Sequence, residues 1–128
     1  MSNTTRQTGR QGENAACNKL ISEGYTVIEK NYTVSGGEID IIAEDEKYIV
    51  FVEVKYRTNS AYLTRYGRPV KAITHAKKQH FVHAVKTYLS EHPTNKKPRI
   101  DVMEIIGSKE QQGFVSLEIK HYKNAFGE

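Results

Sequence analysis

The sequence predicts an α/β domain in which two helices and five strands alternate as α-β-β-β-α-β-β around a mixed central sheet. Three observations predict it. Apolar residues recur at helical spacing in only two segments. Five other runs are rich in β-branched and aromatic residues. Gly, Pro or polar clusters punctuate the chain between them.

Taken in order, residues 1–8 read as a disordered polar tail, and residues 9–128 as one domain with no internal repeat or dividing linker. From about Arg10 to Glu23, Ala16, Cys17, Leu20 and Ile21 form a helical stripe, which Gly24 stops. Tyr25 to Val34 is a first strand, and Ser35-Gly36-Gly37 a turn. Glu38 to Glu44 and Tyr48 to Arg57 make a hairpin around Asp45-Glu46-Lys47. Thr58 to Pro69 has no periodicity and reads as a loop. A second helix runs from about Lys71 or Thr74 to Ser90, closed by His92-Pro93. Arg99 to Ile106 and Phe114 to Tyr122 are the last strands, joined through Gly107 to Gly113.

Composition narrows the function classes. At 38% apolar and 27% charged residues, the chain suits a globular domain with generous polar surface. No apolar run approaches the ~20 residues that span a bilayer, so no membrane span is expected. Met1 to Glu13 lacks the apolar core of a secretory signal. Cys17 is the one cysteine and cannot build a disulfide framework or a thiolate zinc site. A reducing, cytoplasmic setting is expected. The net charge of +4 hides an asymmetry: eight Lys and Arg and no acid lie between Val54 and Ser90. Such a block fits a polyanionic partner, because each cation that meets a phosphate releases counterions. It fits equally a solvated basic surface.

The chemistry concentrates in Gly37-Glu38-Ile39-Asp40-Ile41-Ile42 and Val52-Glu53-Val54-Lys55. Asp40, Glu53 and Lys55 interrupt the most apolar strand pair of the chain, where a charge must be paired, hydrogen-bonded or bound to a cation. Strand alternation places Glu38, Asp40, Ile42 and Glu44 on one face, and Phe51, Glu53, Lys55 and Arg57 on another. A hairpin loop of two or four residues pairs positions that sum to 93, which sets Asp40 opposite Glu53 with Cβ atoms roughly 5 Å apart. Two such carboxylates repel unless a proton or a cation intervenes. A divalent ion such as Mg²⁺ or Mn²⁺ answers that problem with one or two carboxylates, waters and phosphate oxygens. The Val54 carbonyl is a further candidate ligand, and Lys55 would orient or deprotonate water. Glu13, on the buried stripe of the first helix, is a third acid. Lys77 sits at the inward spacing of the second helix, for phosphate contact or as a snorkelling stem. The competing account of Asp40, Glu53 and Lys55 is a cross-strand salt bridge, which leaves one acid unpaired.

The remaining constellations carry less. His80 and His83 lack a third metal ligand, and Cys17 reads as a small core residue. No phosphate-cradling glycine loop, serine nucleophile signature or dinucleotide fingerprint is present. The segment from Tyr56 to Pro69 interleaves tyrosines with arginines just after Lys55, a pattern suited to stacking and phosphate contact. The candidate nucleic-acid-binding residues are therefore Arg57, Arg65, Arg68, Lys71, Lys77, Tyr62 and Tyr66.

Gly12-Glu13 with Ala16, the segments Gly37–Ala43 and Val50–Lys55 with Arg57, Lys77, and Arg99-Ile100-Asp101-Val102 together resemble the YraN-like family. That bacterial group is related to the PD-(D/E)xK nucleases, and the resemblance runs from about Gly9 to Ile106. It implies a restriction-endonuclease-like core, as in Holliday-junction resolvases. It also implies that Asp40 and Glu53 take the places of the two motif acids, Lys55 that of the motif lysine, and Glu13 that of a helical glutamate. Ile39 stands where the superfamily often has proline. The expected function is metal-dependent hydrolysis of phosphodiester bonds in structured or branched DNA. RNA is a weaker alternative, and a homodimer is expected by analogy only. The rival reading is a nucleic-acid-binding adaptor that keeps the fold without cutting.

Overall fold

The computed structural model describes residues 2–58, 75–110 and 113–125. Its elements are α1 (Ser2–Ser22), β1 (Thr26–Val34), β2 (Gly37–Glu44), β3 (Tyr48–Thr58), α2 (His75–Glu91), β4 (Lys97–Glu110) and β5 (Gly113–Tyr122). The predicted order is therefore the observed one. The five strands form one sheet in sequence order, antiparallel except for the parallel pair β3–β4 that α2 connects. Among the described residues this is an α/β fold with a mixed sheet flanked by two helices, compatible with a restriction-endonuclease-like core.

Two boundaries differ from expectation. Helix α1 begins at Ser2 rather than about Arg10. No proline stands before the apolar stripe to break the helix on that side. Strands β4 and β5 extend through most of the segment expected to join them, with Glu110 paired to Gly113. A register shift between Ile106 and Gly107 absorbs the glycine as an irregularity of the strand, where it had read as the start of a loop.

Helix α1 ends as its sequence dictates. Gly24 adopts φ 98°, and the amides of Tyr25 and Gly24 donate to the carbonyls of Leu20 and Ile21 at 3.0 Å each. This pair of bonds closes the last turn and needs a residue at ease with positive φ. The β2–β3 turn is equally local. Asp45 Oδ1 accepts the amides of Lys47 and Tyr48 at 2.9 and 2.8 Å, and the Asp45 amide donates to the Tyr48 carbonyl at 3.0 Å. That turn fixes the register, and Ile41 to Glu44 pair with Val52 to Ile49 as the sum of 93 requires.

The helices cover opposite faces. Against α1 lie Ile41, Ala43, Val50, Val52, Val54, Met103 and Ile105, packed on Ala16, Cys17 and Leu20. Against α2 lie Ile39, Ile42, Ile49 and Phe51, packed on Phe81, Ala84, Val85 and Tyr88. Cys17 is a free, buried core thiol whose pKa burial raises, as its spacing predicted. Strand β4 is tied to β5 and the chain after it by a buried polar network around Asp101, which pairs with Val52. Asp101 receives Arg99 Nε and Nη2 at 2.9 and 2.8 Å, His121 Nε2 lies 2.7 Å away, and the Asn124 amide donates at 2.9 Å. No described helix is long and apolar enough to cross a membrane.

Candidate functional site

Strict alternation predicts Ile39 and Ile41 on the same face, and the structure corrects this. Ile39 packs with Ile42 on the α2 side, while Ile41 packs on the α1 side. The alternation breaks at Asp40, and the printed β2–β3 pairs end at Ile41–Val52. Beyond that point β3 continues to Thr58 beside β4, with β2 no longer paired to it. The sheet forks there. Asp40 Oδ2 accepts the Val54 amide at 2.7 Å, standing in for the backbone acceptor that β2 no longer supplies. Because a residue's N–H and C=O lie on the same edge of a strand, the Val54 carbonyl faces the same fork.

The fork opens into a cleft of about 730 Å³ whose lining includes Asp40, Glu53, Val54, Lys55, Arg57 and Lys77. Lys55 and Arg57 reach it because they follow Glu53 at two-residue steps along β3. Lys77 reaches it from the first turns of α2. Its Nζ lies 3.1 Å from Glu53 Oε2, a carboxylate that is only 8% exposed.

The electrostatics are those of crowded acids. Burial and the charge of Glu53 push the Asp40 carboxyl up to about 7, against the opposing Val54 hydrogen bond. Glu38 and Glu13 add to the rise. Lys55 is held below its ordinary value by burial, and then by its hydrogen bond to Lys77 and the charge of that neighbour. For Lys77 burial acts downward, but the hydrogen bonds to Lys55 and Glu53 outweigh it and raise its pKa. Of the two amino groups, Lys77 therefore holds its proton the more firmly.

Glu13 comes near without entering. Its charge acts on Asp40 and on Tyr56, but its Oε1 accepts Asn31 Nδ2 at 3.1 Å and it does not line the cleft. Asn31 adopts φ 56°, a conformation that asparagine tolerates better than most residues. Among the described residues no three His, Cys, Asp or Glu side chains gather as a metal cage, so the acids of the fork make a pair. Arg57 lines the cleft, yet its Nε also lies 3.5 Å from Glu104 Oε2 in a largely buried ion pair. His80 lines the cleft, whereas His83 Nε2 bonds the Ser35 carbonyl at 3.1 Å, so the two histidines do not converge. Arg65, Arg68, Lys71, Tyr62 and Tyr66 lie outside the described residues.

Two cleft residues escaped the sequence reading. Glu38 was placed on the Asp40 face but not in the site, although its position two residues before an acid was the available signal. His80 was weighed only with His83. Its spacing of three from Lys77 was enough to place both at one opening.

The profile of the uncharacterised protein family UPF0102 matches residues 12–105. Similar chains extend over almost the whole length. A UPF0102 protein of Chlorobium phaeobacteroides is 36% identical over 128 residues, covering 98% of each chain. One of Clostridioides difficile is 35% identical over 122 residues, covering 94% of this chain and 97% of its own. One of Carboxydothermus hydrogenoformans is 33% identical over 120 residues, covering 93% and 94%.

Proposed function

The chain belongs to the uncharacterised family UPF0102, and from that premise we propose that it is a divalent-metal-dependent nuclease acting on structured or branched DNA. One observation carries the reading. Asp40, held by the Val54 amide at 2.7 Å, and the buried Glu53 share one cleft with Lys55, and burial, then the charge of Glu53, raises the Asp40 pKa. A plain structural ion pair does not need that arrangement, since Glu53 already has Lys77 at 3.1 Å.

The donors suit the cation proposed. Two carboxylates and a backbone carbonyl are hard oxygen ligands, the kind that Mg²⁺ and Mn²⁺ take along with waters and phosphate oxygens. Asp40, Glu53 and the Val54 carbonyl would hold it. When bound, such an ion polarises the phosphate and acidifies water.

The protein's own groups do the rest. Lys55 lines the cleft beside Glu53, where its Nζ would orient the water that attacks phosphorus and hand the proton that water loses on toward solvent. As the water oxygen bonds to phosphorus, the bond to the leaving oxygen breaks, and that oxygen takes up a proton. Arg57 and Lys77 bring positive charge to the wall of the cleft, where the phosphate's charge develops.

The test is a cleavage assay on duplex, single-stranded, flap and four-way-junction DNA, with an RNA duplex alongside, in Mg²⁺, Mn²⁺ or EDTA. Metal-dependent cutting that disappears in Glu53→Gln and in Lys55→Ala is the expected result. Tight binding with no cutting under any metal would instead support a non-catalytic nucleic-acid-binding module.

A further inference from the structure

Asp40, Glu53, Lys55 and Lys77 meet at the fork, and they are not equally free to move. Asp40 is anchored by the Val54 amide, and Glu53 and Lys55 stand on β3, a strand paired along its length with β4. Lys77 reaches Glu53 from another element, at the end of a flexible stem whose side chain is 50% exposed. Its ammonium therefore reaches Glu53 from a helix, whereas the other three side chains stand on the sheet.

We infer that Lys77 is the resident counter-cation of Glu53, displaced when a divalent ion enters the acid pair and then turned toward the phosphate of the bound nucleic acid. The inference rests on the metal-dependent reading above and adds a role that the reading does not need. Without a cation, Lys77 keeps Glu53 from standing as a buried, unpaired charge. A divalent ion at Asp40 and Glu53 removes that partner and crowds the ammonium, so Lys77 must leave. A phosphate in the same cleft gives it a new partner. Metal and nucleic acid then favour each other's binding through one side chain, and by linkage the effect is reciprocal. Lys55 cannot serve in this way, because its position on β3 keeps it in the row with Glu53.

The prediction has an unusual sign, since removing a site residue should tighten metal binding. In calorimetric titrations of the full chain with MnCl₂ and no nucleic acid, Lys77→Met should bind Mn²⁺ about two- to fivefold more tightly than wild type, the scale of a partly exposed ion pair. Lys78→Met removes a charge from the same helix turn without touching Glu53. It should leave the affinity near wild type, whereas a general field effect would tighten both variants alike. Glu53→Gln should abolish binding. If wild type binds in a Glu53-dependent way but Lys77→Met binds equally or more weakly, the inference is overturned while the metal site stands. Equal tightening in both lysine variants overturns it too. No Mn²⁺ binding by wild type, or binding indifferent to Glu53→Gln, overturns both the inference and the metal site.

Discussion

The Asp40 carboxylate accepts the Val54 amide at 2.7 Å, so a side chain of β2 completes the hydrogen bonding of β3 just where the two strands part. This bond makes the fork and the acid pair one feature. It satisfies a backbone donor that parting would otherwise leave unpaired. It also fixes a carboxylate beside Glu53 at a cost that burial and repulsion set.

That cost predicts an inverted pH dependence. The Asp40 carboxyl lies near 7 in the folded protein against an ordinary 3.8. A raised carboxyl pKa means that the folded state binds the proton more tightly than the unfolded state. The metal-free protein should therefore lose stability as pH rises from about 4 to about 7, by on the order of 4 kcal/mol from this group. Asn at position 40 can still accept the Val54 amide but never ionises. Urea midpoints in EDTA should then show Asp40→Asn matching wild type in acid and exceeding it at neutral pH. An identical slope in the two proteins would exclude repulsion at Asp40 as its source.

The parts of this arrangement that are local were legible in the sequence. Asp45 supplies the turn, the turn sets the register, and the register brings the Asp40 end of β2 to the Glu53 end of β3. The break in alternation at Asp40 was not legible. It depends on β3 staying with β4 while β2 leaves, a choice made by tertiary pairing rather than by either strand. The Lys77–Glu53 contact was half legible. Helical spacing turned Lys77 inward, but only the placement of α2 over the start of β2 decides which acid it meets. The distant partners of Asp101 were not legible, because His121 and Asn124 lie 20 and 23 residues away.

Gly37 marks that placement of α2. A Cβ there would strike the His80 carbonyl and come within 3.0 Å of the Ala84 Cβ. Both belong to α2, so relief requires the helix itself to move. Gly37→Ala should cost about 1–3 kcal/mol and, by lifting the helix that carries Lys77 and His80, weaken nucleic-acid binding as well. Chemical denaturation and a binding titration on the same variant would check both effects. Unchanged values would mean that β2 and α2 have slack at this contact.

On the adjoining strand β4, where it pairs with Val52, Asp101 should be the most costly acid to neutralise. Burial alone would raise its pKa, but the hydrogen bonds from His121, Arg99 and the Asn124 amide outweigh burial and hold it below the usual range. A depressed carboxyl pKa stabilises above the unfolded value and loses that contribution as pH falls through the folded one. Asp101→Asn should therefore destabilise by about 3 kcal/mol at neutral pH, and the gap to wild type should close in acid, below about pH 4. A gap that persists undiminished in acid would point to packing rather than charge.

Gly12 offers a test in which one substitution should change sign. A Cβ at this position overlaps the ring of Tyr56, which lies against α1 while remaining 37% exposed. In an otherwise open helix, Gly→Ala is favourable by about 1 kcal/mol. Here the ring must swing aside, giving up its contact with the helix and disturbing the residue between Lys55 and Arg57. Gly12→Ala should therefore be neutral to destabilising in the wild-type background. With Tyr56→Ala the obstruction is gone, and the same substitution should stabilise by up to about 1 kcal/mol. A double-mutant cycle of unfolding free energies measures the difference directly. A coupling near zero would mean that the ring yields without cost, and that α1 is not held to the fork through Tyr56.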